Sequence, residues 1–159
     1  MLELNLKDIN LIIFPNWNQS RDIIFEELVK VCKTIINHPN TSVINLLIDT
    51  NNIDLEDAQF LLADVLLNIC YDQNLESDDN NSPEFNLLKI NSLEEYKGIL
   101  PHLYSRVIVE NENKELINQI GLEQIPAFSL EELKSAALAV KIMFSNYQSR
   151  NCNLKGKSS

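Results

Sequence analysis

The chain has 159 residues, 45% of them hydrophobic and 23% charged, enough for one domain that buries a core without disulfide or metal support. Thirteen basic residues against 23 acidic ones give a net charge of -10, which excludes the basic stripe of a nucleic-acid-binding domain and disfavours anionic membranes. No apolar run reaches membrane-span length and no charged-then-apolar leader opens the chain, so the expectation is a soluble, cytoplasmic domain with neither membrane nor nucleic-acid partners. The three cysteines, Cys32, Cys70 and Cys152, are odd in number and too far apart for a C-x-x-C motif. Cys32 and Cys70 fall in apolar helical patterns and are expected as buried, inert thiols.

Ile9 to Phe14 is a short, nearly continuous apolar run stopped by Pro15, the pattern of a strand buried on both faces. Ser20 and Asp22 then open a helix in which Ile24, Leu28, Val31, Ile35 and Ile36 form one apolar stripe, with Glu26, Glu27, Lys30 and Lys33 on the wet side. That helix ends near Asn37-His38-Pro39. The pattern repeats with a strand over Val43 to Ile48 and a helix from about Asp54 to Asp72, its inner side carrying Leu55, Leu62, Val65, Leu66 and Ile69. An acidic polar loop, 76–84, leads to a third strand over Phe85 to Ile90. Ser92 with Glu95 has capping-box spacing for a short helix ending at about Pro101. A fourth strand covers Arg106 to Val109, and a helix from Asn113 to Ile120 ends on Gly121. A fifth strand is expected over Ile125 to Phe128. Ser129 with Glu132 opens a long final helix to about Tyr147, and the tail 149–159 reads as disordered. Strict alternation with short connections predicts a single Rossmann-like α/β domain over 1–148, a three-layer α/β/α sandwich of four to five mostly parallel strands.

In such a sheet ligands bind beyond the carboxyl ends of the strands. The first of those loops, Pro15-Asn16-Trp17-Asn18-Gln19-Ser20, contains no glycine, and a phosphate loop needs glycines so that backbone N–H groups can approach the anion. A dinucleotide or P-loop site is therefore excluded. The residues that could face a ligand or partner are Asn16, Trp17 and Asn18 in the first loop, Asp49, Thr50 and Asn51 after the second strand, and Glu110, Asn111 and Glu112 after the fourth. Trp17 could stack on a base, a sugar or a partner, or could cap the end of the sheet. Asp49 could serve a metal or a proton, or could shape the turn. Glu110 and Glu112 could divide acid and base roles, or could favour a helix N-terminus. His38 and His102 lack neighbours at ligand spacing, and no nucleophile elbow exists, so no catalytic residue, metal or cofactor is expected.

Three stretches carry a family resemblance: Leu11-Ile12-Ile13-Phe14-Pro15-Asn16-Trp17, Leu46-Leu47-Ile48-Asp49-Thr50, and Arg106-Val107-Ile108-Val109-Glu110-Asn111-Glu112-Asn113. With the element order, they resemble the donor-binding, Rossmann-like half of GT-B glycosyltransferases, in the short versions linked to cyanobacterial tetratricopeptide and glycosyltransferase proteins, over residues 5–148. The family's glycine-rich first loop, diphosphate-binding base and paired ribose-gripping glutamates are missing here. Glu110, Glu112 and Glu115 lack that spacing, Arg21 and Arg106 are the only arginines near the expected cleft, and the acceptor domain is not expected in these residues. The resemblance implies a scaffold that kept the fold and lost the chemistry, binding a protein partner or pairing with itself. Two alternatives stay open. One is a residual nucleotide-sugar-binding half of a split glycosyltransferase. The other is a regulatory module resembling anti-sigma-antagonist domains, whose switch serine would stand where Ala58 follows Asp57.

Overall fold

Apolar runs without polar alternation must be covered on both faces, and such runs form the middle of the sheet. The computed structural model describes residues 6–73, 82–122 and 125–135. Strands β1 (Ile9–Ile13), β2 (Ile44–Asp49), β3 (Glu84–Leu88), β4 (Ser105–Val107) and β5 (Ala127–Phe128) pair in parallel in the order β3-β2-β1-β4-β5. Every residue of β1 and β2 is buried. Between the strands run α1 (Arg21–Ile36), α2 (Leu55–Gln73), α3 (Leu93–Ile99) and α4 (Lys114–Ile120), and α5 (Leu130–Ser135) follows β5.

Two apolar clusters fill the space on either side of the sheet. Ile9, Leu11 and Ile13 face α1, α2 and Leu133 of α5, whereas Ile12, Phe14 and Leu47 face α3 and α4 through Tyr96, Ile99, Leu116 and Ile120. Side-chain alternation along each strand thus assigns odd and even positions of β1 to opposite layers. The result is the expected Rossmann-like three-layer α/β/α sandwich. Burying one such Ile or Leu contributes roughly 1.5–3 kcal/mol, so the two central strands dominate the core.

One polar line crosses the α3/α4 side. Asn45 Nδ2 donates to Asn10 Oδ1 at 3.1 Å, and Asn86 Nδ2 donates to Asn45 Oδ1 at 2.6 Å. Asn10 is tied in turn to the main chain of Lys7, accepting from its N–H at 2.9 Å and donating to its oxygen at 2.7 Å. Partners of this kind satisfy amides that would otherwise be costly to bury.

Helix boundaries follow their local signals. Ser92 Oγ accepts from Glu95 N at 3.2 Å, and Ser129 and Glu132 form the full reciprocal box, at 3.1 and 2.9 Å. Gly121 ends α4 at φ 75°, a left-handed conformation that glycine adopts without strain.

Several expected boundaries move. Val43 belongs to a 3-10 turn (Thr41–Val43) and not to β2. β3 starts and ends earlier than expected and is half-buried along most of its length, because it is an edge strand with a neighbour on one side only. β4 stops at Val107, leaving Ile108 exposed. Pro101 lies inside a second 3-10 turn (Leu100–His102), where it needs no N–H donor. Cys70 lies on the outer side of α2 and is exposed, contrary to the buried thiol expected there. Cys32 is buried as expected, and burial pushes its thiol up to about 12, which keeps it protonated. Most of the acidic loop, the final helix beyond Ser135, Cys152 and the tail lie outside the described residues.

Candidate functional site

The strand order reverses between β1 and β4, so the crevice where this fold takes ligands lies between the loops that follow them. Here the two loops are joined to each other. Pro15 and Glu112 form an antiparallel bridge, Asn16 N donates to Asn111 O at 2.9 Å, and Asn113 N donates to Phe14 O at 2.8 Å. Two further amides of the first loop, those of Asn18 and Gln19, are engaged as well. Asn18 N donates to Asn16 Oδ1 at 3.1 Å, and the start of α1 is capped by Ser20, whose Oγ accepts from Ile23 N at 3.4 Å. A phosphate drawing on the N–H groups of Asn16, Asn18, Gln19, Asn111 or Asn113 would have to displace these bonds.

Arg106, Glu112 and Glu27 are satisfied internally. Arg106 donates to Glu112 at 2.9 Å, with the two side chains only 16% and 8% exposed. Glu112 therefore neutralises an arginine of β4 and does not serve the N-terminus of α4, where Asn113 is the cap and Glu115 the first-turn acid. Glu27 leaves the wet side of α1 expected for it and accepts from Asn111 N at 3.1 Å and from Asn111 Nδ2. Burial raises the pKa of Glu27 and nearby Glu110 adds to the rise, against the lowering effect of the Asn111 bonds and Lys30. Glu110 itself is exposed. Three carboxylates and one paired arginine make this a poor place for a diphosphate.

From the first loop, Trp17 reaches toward β2. It packs in the core beside α1 and α2, 7% exposed, and its Nε1 donates to the main-chain oxygen of Asp49 at 2.7 Å. The carboxylate of Asp49 is fully buried and accepts from Tyr96 Oη at 2.5 Å and from Asn51 N at 3.0 Å. Burial raises the pKa of Asp49, against the lowering effects of Tyr96, Asn51 and Lys89. Burial and then the Asp49 carboxylate push the Tyr96 phenol up, so it stays protonated and donates. Thr50 extends the β2–β3 pairing, its N and Oγ1 donating to Leu88 O at 2.9 and 2.5 Å, and Lys89 Nζ donates to the Thr50 and Ile53 oxygens at 3.4 and 3.2 Å. Asp49 is thus a knot between the two layers of helices, shaping the turn through Asn51 and holding α3 through Tyr96.

The structure brings Asn16, Asn111 and Glu112 together in the loop seam, and Trp17 together with Asp49. Thr50 is turned inward, Asn18 is exposed and Asn51 is half-buried. Sequence reasoning did not single out Glu27 or Tyr96, whose partners are distant in the chain. Among the described residues no three His, Cys, Asp or Glu side chains converge as a metal site requires, and no helix is long and apolar enough to cross a membrane.

The open relief of the molecule is elsewhere. A hollow of about 720 Å³ between the second half of α1 and α5 is bordered by Lys33 and Lys134, paired with Asp72 at 3.7 Å and Glu131 at 3.6 Å. Two more hollows, about 550 and 340 Å³, lie along the α1–α2 groove. Comparison of the chain with protein-family models, with curated proteins and with solved structures finds no match.

Proposed function

We propose that this domain is a non-catalytic, glycosyltransferase-like scaffold that binds a protein partner. The observation that carries the reading is the seam across the switch point: Asn16 and Asn113 spend their main-chain donors on each other's loops, Asn111 N–H donates to Glu27, and Arg106 is taken by Glu112. A nucleotide-sugar donor would need those N–H groups and a free cation at the same place. The glycosyltransferase ancestry rests on the resemblance of the strand and loop sequences alone. The regulatory reading finds little support, since Ala58, in the position of the switch serine, is buried and has no hydroxyl.

A thermal-shift panel of UDP-, GDP-, ADP- and CMP-sugars and their free nucleotides tests this. A ligand at a hundred times its Kd adds about 2.7 kcal/mol, which in a domain of this size raises Tm by roughly 5–10 °C. The expected result is no shift with any of them. A shift confined to one nucleotide class would replace this reading with a donor-binding one.

A further inference from the structure

Helix α2 has a second apolar row that the described residues leave exposed. Phe60, Leu67 and Tyr71 recur at spacings of seven and four, which places them on one face of a helix, and they are 64%, 67% and 92% exposed. This row borders the groove between α1 and α2. Phe25 of α1 lines the larger groove hollow together with Leu67 and Tyr71, while Trp17, Ile24 and Phe60 line the smaller one. An ion pair at 2.6 Å between Arg21 and Asp64 joins the walls of the two. From Phe60 to Tyr71 the row runs three turns, about 16 Å at 1.5 Å per residue, the length over which a docked helix places its anchors.

Charge decides what kind of helix fits. α2 carries Glu56, Asp57, Asp64 and Asp72 and neither lysine nor arginine. A second copy docked with α2 against α2 would set these carboxylates against their own kind, which opposes pairing. Basic residues flanking an apolar stripe would instead meet Asp57, which has no ion pair among the described residues, and share the exposed Asp64 and Asp72 with Arg21 and Lys33 of α1. We propose that the α1–α2 groove docks an amphipathic helix of a partner protein, its apolar side filling the two hollows and its lysines or arginines facing the α2 carboxylates. The proposal rests on the protein-binding reading above and names the surface and the chemistry of the partner.

The test uses the full chain and a leucine–lysine peptide of about eighteen residues, with leucines at helical i, i+3, i+4 and i+7 spacing and no tryptophan. Trp17 is the only tryptophan in the chain and lines the smaller hollow, so its fluorescence reports occupancy. Saturable binding is expected, weakened at least about tenfold in Leu67→Asp and in Phe60→Ser, and absent for the same peptide with glutamate in place of lysine. Both variants change exposed side chains, so their melting temperatures should match that of the parent and a loss of binding is not a loss of fold. Absence of saturable binding at about 100 μM, or equal affinity for the parent and Leu67→Asp, overturns the proposal. So does a dimer in light scattering that Leu67→Asp dissolves, because the occupant would then be a second copy. The nucleotide panel fails or passes independently: a flat peptide titration retires the groove alone, and a nucleotide shift retires the scaffold reading alone.

Discussion

The switch-point crevice and the α1–α2 groove lie on the same molecule and are finished in opposite ways. In the crevice, loop amides, an arginine and two glutamates are all paired with groups from the chain itself. In the groove, large apolar side chains are exposed among the described residues. Polar groups that have found partners inside the chain have little left to offer a ligand, whereas exposed apolar rows gain by being covered. The contrast moves attention from the place where the fold usually does chemistry to a place where it usually does none.

Removing the indole of the first loop should cost most. Trp17→Ala removes a buried indole and its bond to Asp49 O, and urea unfolding should show a loss of about 3–5 kcal/mol. A loss below about 1 kcal/mol would mean that the indole is a passive cover of the core. Next in size is Glu112→Ala, which strands Arg106 in a largely buried position at a cost of about 1–3 kcal/mol, less than a fully buried charge because the guanidinium keeps some solvent. Adding Arg106→Met should recover part of that loss. If it does not, the seam is held by its main-chain bonds and not by the ion pair.

The smallest effect is a slope. Burial holds the pKa of folded Asp49 above its unfolded value, so folding favours the protonated form. That contribution is fully present below the unfolded value, near ~4, and is lost as pH rises through the raised folded value. Asp49→Asn removes it, and Glu27, raised in the same direction, is common to both proteins and cancels in the comparison. The stability of the parent relative to Asp49→Asn should therefore fall as pH rises from about 4 through the raised folded pKa in urea titrations. A difference that is flat with pH would show that Tyr96 and Asn51 fully offset the desolvation of the carboxylate.

What the sequence reveals is what is local. Continuous apolar runs announced β1 and β2, and the cap of α5 was legible because Ser129 and Glu132 are three residues apart. The seam was not legible, since Glu27 and Asn111 are 84 residues apart and nothing in either neighbourhood marks the other. Position on the wet side of a helix gave Glu27 the same appearance as Glu26. The exposed row of α2, Phe60, Leu67 and Tyr71, was not singled out from the sequence, which does not say which apolar residues of a helix the sheet takes. The edge position of β3 was hidden for a similar reason, because strand order is a property of the assembled sheet.

The asparagine line across the sheet also governs how the strands find their places. One phrase occurs three times, as Ile9-Asn10-Leu11-Ile12, Ile44-Asn45-Leu46-Leu47 and Phe85-Asn86-Leu87-Leu88. By oiliness the three copies are close to interchangeable, and parallel strands have no hairpin to keep them in step. β1 and β2 meet with Asn10 opposite Asn45, whereas β3 is offset so that Asn86 stands opposite Leu47 and reaches back to Asn45. A slip of one residue would turn an amide into the apolar layer under α1 and α2, at a cost of roughly 1–3 kcal/mol for each group left without a partner. The amides thus proofread the assembly of near-identical strands, rejecting misaligned copies that hydrophobicity alone would accept.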